Sequence, residues 1–237
     1  LHNLGNALSW VSGNVAGRAL LEESLGHYRA AGETRWLAGT LNDIGMTYAF
    51  GQDIENARAF FRQSLSISEE LGDQPGIAMA AANLGAVALD SGDPVESEVF
   101  SRRGQATAQD IGDKLMLAIS VGNLGHAALL RGERETAMRL YRDTVTLTRE
   151  SSYTFMLIEA VLGLASLAAG SDPVAAARWL AAVAAWRVAT GFGVETPFIR
   201  ALREGLEARL PDPGDEPPLS IETAAAEATA WTVERGW

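Results

Sequence analysis

The sequence predicts an all-α protein: a solenoid of antiparallel helix pairs, about five repeats long, closed by a C-terminal helical cap. Three observations carry that prediction. A glycine recurs every forty residues inside segments of helical periodicity, in Asn3-Leu4-Gly5, Asp43-Ile44-Gly45, Asn83-Leu84-Gly85 and Asn123-Leu124-Gly125. Punctuation keeps the same period: Gly32, Gly72 and Gly112 each precede an acid, and Asp53, Asp93 and Glu133 each follow their repeat's glycine by eight residues. Small side chains stand twelve residues after each glycine (Gly17, Ala57, Ser97, Ala137), and mostly large ones four further on (Leu21, Phe61, Ser101, Tyr141). That is the alternation of hole and knob that stacked helices need. Val161-Leu162-Gly163, with Ala175 and Trp179 behind it, is a fifth and weaker copy, two residues short of register.

Each unit reads as two helices. In the third, Pro75 opens a segment whose apolar residues from Ile77 to Leu89 keep helical spacing. Gly92-Asp93-Pro94 then supplies a stop, a capping carboxylate and a first-turn proline, and the second helix runs from Val95 to Ile111. Repeats are expected near 1–33, 34–73, 74–113, 114–152 and 153–191, so that the solenoid covers 1–192. A capping helix opened by Thr196-Pro197 is expected within 193–210. Segment 211–219 holds four of the eight prolines and is expected to be a linker. Ser220 is placed to cap a last helix, Ile221 to Glu234, within a C-terminal helix and tail at 220–237, expected to dock only loosely.

Composition narrows the function classes. The 237 residues carry Lys+Arg 19 against Asp+Glu 30, a net charge of −11 that repels phosphate backbones and anionic lipid, so neither direct nucleic-acid contact nor a membrane surface is expected. With no cysteine, thiolate metal sites, disulfides and cysteine nucleophiles are absent. Lys114 is the only lysine, so no phosphate-binding G-x-x-x-x-G-K-[ST] loop exists within these residues. The most apolar stretches, Phe155 to Ala169 and Val174 to Ala189, are interrupted by Glu159, Arg178 and Arg187 and are not expected to span a bilayer. The start Leu1-His2-Asn3 lacks an initiator Met and a signal-peptide pattern, and a fragment of a longer protein is expected.

Together the hydrophobic-Gly pairs, the aromatic Tyr48 three residues after Gly45, and the small and bulky positions of the second helices resemble the tetratricopeptide repeat, over roughly residues 1 to 190. The unit is forty residues rather than the family's usual length of about thirty-four. Glu69, Gln109 and Arg149 stand near the family's late proline. In this the chain looks like the longer-helix branch of kinesin-light-chain-like arrays and bacterial multidomain regulators. A second resemblance covers Ala175-Ala176-Ala177-Arg178-Trp179-Leu180, Trp186 to Gly191, Thr196-Pro197 and Leu219-Ser220-Ile221-Glu222-Thr223-Ala224. These look like the C-terminal end of large bacterial signalling ATPases of the LuxR-type and antibiotic-regulator kinds. The resemblances imply a right-handed solenoid, a cytoplasmic protein, an NTPase domain upstream on the same chain, and a concave groove lined by the first helix of each pair. That groove would take a peptide or protein segment.

In resembling proteins the position two before the glycine faces the groove, which here puts Asn3, Asp43, Asn83 and Asn123 along it, widened by Asn42, Met46, Asn6 and His126. An amide offers both donor and acceptor, so such a row either grips the backbone of an extended ligand or bonds neighbouring helices and keeps the stack in register. The resemblance would place a lysine-based carboxylate clamp on these helices, but Asn42, Ala82 and Gly122 stand there, so a nonacidic or helical ligand is expected. His126 has no second histidine and no carboxylate one turn on, and is not expected to bind metal. Asp53, Asp73, Asp93, Asp113 and Glu133 sit at helix starts and are expected to cap them rather than to form a catalytic pair. Trp179 and Trp186 share a helix face and are expected in the core. No catalytic residue set and no cofactor is expected. The function anticipated is noncatalytic protein binding or ligand sensing as an arm of a signalling ATPase or transcription regulator. The alternative is a self-assembly module or free-standing adaptor, with a possible homo-oligomer.

Overall fold

How closely two helices can approach decides this architecture, and the periodic glycines mark where they approach. The computed structural model describes residues 2–5, 15–149, 154–191, 195–214 and 217–234, and among them all regular structure is helical. After a helical segment at residues 2–5 come α1 (Val15–Ala31), α2 (Thr34–Phe50), α3 (Ile54–Leu71), α4 (Gln74–Asp90), α5 (Pro94–Ile111), α6 (Lys114–Leu130), α7 (Arg134–Thr148), α8 (Thr154–Ala168), α9 (Pro173–Thr190), α10 (Pro197–Glu207) and α11 (Ile221–Glu234). The all-α solenoid of helix pairs expected from the sequence is what folds. The chain divides into two compact units, Leu1–Met116 and Leu117–Trp237.

In unit 1, α1 packs on α2, α2 on α3, α3 on α4 and α4 on α5, and the first helices α2 and α4 also touch each other. The pairs close where a glycine meets a knob. A Cβ on Gly45 would stand 2.6 Å from the Phe61 ring, and one on Gly5 3.1 Å from Leu21. Phe61, Ala57, Leu65 and Leu84 form one buried cluster, and Leu21, Leu41 and Ile44 another. Ser101 occupies the knob position of its pair and its buried hydroxyl has no hydrogen-bond partner, while its neighbour Phe100 packs against the Phe61 cluster. Arg58 and Arg62 of α3 both reach Glu96 of α5 (3.2 and 2.9 Å), and Arg103 pairs with Glu69.

Helix starts follow the capping expectation in part. Asp53 accepts from the Asn56 amide, Asp93 from Val95 and Glu96, Asp113 from Leu115 and Met116, and Asp172 from Ala175. Asp73 and Glu133 depart from it: neither side chain caps its helix. Asp73 instead meets Arg35 at 3.4 Å and Glu133 meets Arg131, because a basic partner lies within reach of each carboxylate. At the turn between the helices of a pair, Gly92 and Gly132 take left-handed backbone, and the equivalent Gln52 takes it too, at φ 64°.

Unit 2 is built around two aromatics. The Tyr141 ring of α7 lies against both Gly125 of α6 and Gly163 of α8, where a Cβ would overlap it. Trp179 of α9, fully buried, meets Trp231 of α11 edge-on at 5.9 Å. α11 is docked more tightly than expected. Ile221, Ala224, Ala225, Ala228 and Trp231 form a buried stripe whose alanines let it approach α8 and α9, and the Trp231 indole N–H donates to Asp172 (3.2 Å). α10 is fastened at its start by Glu195, nearly buried between Arg187 and Arg203. Arg203 holds that carboxylate through two nitrogens at 2.9 and 3.1 Å and also grips Glu207.

Two glycines with opposite surroundings test this account. Gly163→Ala is expected to cost about 2–3 kcal/mol, because the Tyr141 ring has no room to retreat. Gly26→Ala, mid-helix in α1 with nothing near its would-be Cβ, is expected to gain about 1 kcal/mol from helix propensity. Urea unfolding of both variants checks the contrast, and equal effects would sink the close-approach argument.

Candidate functional site

In unit 1 the first helices present one face. Along α2, Trp36, Gly39, Asp43, Met46 and Phe50 recur at intervals of three and four residues and none is buried; along α4, so do Met79, Asn83, Ala86 and Asp90. The helices between these positions are nearly all core, so the stripe is what remains of each first helix after packing.

A chain of polar contacts runs across this face. The Asn83 Nδ2–H donates to the Asn42 carbonyl at 2.8 Å, bridging α4 and α2, with Asn42 itself 2% exposed. Asn42 in turn bonds the Asp43 carboxylate, which lies 3.3 Å from His2 Nε2. His2 Nδ1 is 3.1 Å from the Thr40 hydroxyl, whose proton goes to the Trp36 carbonyl (2.8 Å). Thr40 therefore accepts from His2 Nδ1–H, and Nε2 is left to share a proton with Asp43. Burial raises the Asp43 carboxyl to about 6, and the Asn42 bond only moderates this; burial likewise lowers His2. Both shifts favour the uncharged pair. Beside it the exposed Trp36 stacks on Tyr28 at 6.0 Å, with the His2 ring edge-on to both.

Of the residues expected along the groove, unit 1 thus joins Asn42, Asp43 and Asn83 by hydrogen bonds, with Met46 on the same face and Asn3 exposed. Asn6 lies outside the described residues. In this unit Asn83 bonds Asn42 of the neighbouring first helix. The sequence reading missed His2, Thr40 and Trp36; the only signal was that His2 directly precedes the repeat-marking Asn3.

Unit 2 treats the same repeat positions differently. Asn123 is buried, and His126, expected at a groove, is 1% exposed and belongs to the core. Its Nδ1 lies 2.8 Å from the Tyr141 hydroxyl and its Nε2 3.7 Å from Glu159. His126 and Tyr141 thus share a buried hydrogen bond, with the Glu159 carboxylate close by but beyond hydrogen-bond reach of Nε2. Burial, and then the charge of Glu159, push the Tyr141 phenol well above its ordinary value, so it keeps its proton. The reason for His126's burial is α10: the Phe198 ring stands edge-on over the imidazole, centroids 5.0 Å apart.

Among the described residues no group of three or more His, Asp or Glu is placed to hold a metal ion, and no helix is long and apolar enough to cross a membrane. Residues 37–71 match the profile of the family described as Tetratricopeptide repeat. The α2–α3 pair is thus similar to a tetratricopeptide repeat, and the all-helical stack around it is consistent with further repeats of that kind. The match covers α2 from Leu37 and all of α3, the pair closed by Gly45 and Phe61. No curated protein matched the chain. Tetratricopeptide repeats are protein-interaction modules, and that general role is what the match supports.

The polar chain at the unit 1 face has a pH signature. A carboxyl raised on folding contributes stability that is complete below its unfolded value of 3.8 and is lost as pH rises through about 6. Asp43→Asn keeps the acceptor for Asn42 and offers His2 Nε2 an N–H at every pH. The variant is expected to match the parent near pH 4 and to exceed it by about 2 kcal/mol above pH 7, read from denaturant unfolding across that range. A constant difference with pH would show that Asp43 does not carry the displaced proton.

Proposed function

We propose that the protein is a noncatalytic binding array that receives a segment of a partner protein on the α2–α4 face of unit 1. The supporting observation is the composition of that face. Apolar and adaptable side chains (Trp36, Met46, Phe50, Met79) flank a polar chain, Asn83–Asn42–Asp43, that can orient what lies across them. Asn83 spends one of its two N–H donors on Asn42, so it is the member of the row proposed to reach the ligand. Asn3 is proposed to extend the row, and Asn123 and His126 to support unit 2 from within.

The resemblance of residues 175–191, 196–197 and 219–224 to the C-terminal end of bacterial signalling ATPases extends this reading to a cytoplasmic sensor arm whose occupancy is passed to an NTPase or transcription-regulating domain of the same protein. That wider step rests on the resemblance alone.

Selection of a displayed peptide library on the full chain tests the reading. Enriched peptides are expected whose affinity drops at least about tenfold on Met46→Glu or Asn83→Asp, with helix content unchanged by circular dichroism. No enrichment, or binding indifferent to both substitutions, would overturn it.

A further inference from the structure

We infer that the α2–α4 face of unit 1 docks an amphipathic helix that leads with an aromatic side chain and carries arginine or lysine beside it. The inference rests on the protein-binding reading above and names the kind of segment that is bound.

The chain supplies its own template. His126 follows its repeat glycine by one residue, as Ala86 and Met46 follow theirs, and in unit 2 this position lies beneath the Phe198 ring of α10. α10 is amphipathic: Ile199 and Leu206 are buried, Phe198 and Leu202 half-buried against the core, while Ala201, Glu204 and Glu207 are exposed. A first-helix face of this array therefore accepts a short helix, with an aromatic ring seated at the residue after the glycine.

Unit 1 leaves the same positions half-exposed, and their side chains suit such an occupant. Ala86 is smaller than the imidazole that supports Phe198, and Met46 and Met79 are unbranched and adapt to an inserted ring. Asp43 and Asp90 stand on the same stripe, and the stripe holds no lysine or arginine. A helix with a basic residue near its aromatic, as α10 has Arg200 and Arg203 near Phe198, is favoured there over an acidic one. A helix fits the two neighbouring first helices, since residues seven apart on one of its faces rise about 10 Å, close to the ordinary interhelical separation of about 8–10 Å.

The test uses the full chain and a fluorescein-labelled peptide spanning residues 195–210, read by anisotropy. Saturable binding is expected, weakened at least about tenfold by Phe198→Ala in the peptide and by Met46→Glu with Ala86→Glu in the chain. Both chain substitutions are at half-exposed positions, and unchanged thermal unfolding confirms that the variant is folded. Hydrogen exchange should show added protection in α2 and α4. Binding that ignores the unit 1 substitutions, or that strengthens when Phe198→Ala in the chain loosens its own α10, places the peptide in unit 2 and overturns the inference. If this peptide fails while library-selected peptides bind unit 1 without gaining helix, the helical occupant is wrong and the protein-binding reading stands; if neither binds, both fall.

Discussion

The distance between two helix backbones at a glycine governs the rest of this molecule. Mid-helix glycine costs about 1 kcal/mol relative to alanine, so a glycine repeated at a fixed period is retained against a standing penalty. What offsets it is a buried ring: full burial of an aromatic side chain contributes about 1.5–3 kcal/mol, and Phe61 and Tyr141 lie where a Cβ would otherwise be. Where the knob is Ser101, the hydroxyl is buried without a hydrogen-bond partner, yet α4 and α5 still pack closely along their length.

Electrostatics plays a secondary part in the stacking and a larger one at the faces. The Arg58–Glu96 and Arg62–Glu96 contacts join second helices at the surface, where such pairs are worth about 0–1 kcal/mol. The polar groups with more consequence are those that packing has partly removed from water. Asp43 shares a proton with His2 because neither charge is well solvated, and Glu195 is enclosed by the guanidinium groups of Arg187 and Arg203. One arrangement leaves a helix face responsive to protons; the other fixes α10 in place.

Much of the fold could be read from spacing, because a repeat writes each of its packing contacts several times. Gly45 with Phe61 and Gly125 with Tyr141 met as the period required, and Trp179 lies in the core. Features that occur once left no period to read. His2 reaches Asp43 across nearly a whole repeat, and nothing in the local sequence joins them. Asp73 and Glu133 look like Asp53 and Asp93 in sequence, yet nearby arginines draw them from the capping position. α10 covers His126 after a break in the pattern, so an apparent groove residue is a core residue. The tight docking of α11 depends on alanines whose neighbours are set only by the tertiary fold.

Tyr141 serves two interfaces with one ring, against Gly125 on one side and Gly163 on the other. In unit 1 Phe61 is likewise shared, filling the space at Gly45 of α2 and packing with Ile77, Ala80 and Leu84 of α4. Duplication or deletion of a forty-residue block therefore has a consequence at both ends of the block. A break between α3 and α4, like one between α7 and α8, separates a ring from part of its socket. Only an exchange that keeps the forty-residue register puts an equivalent wall in its place.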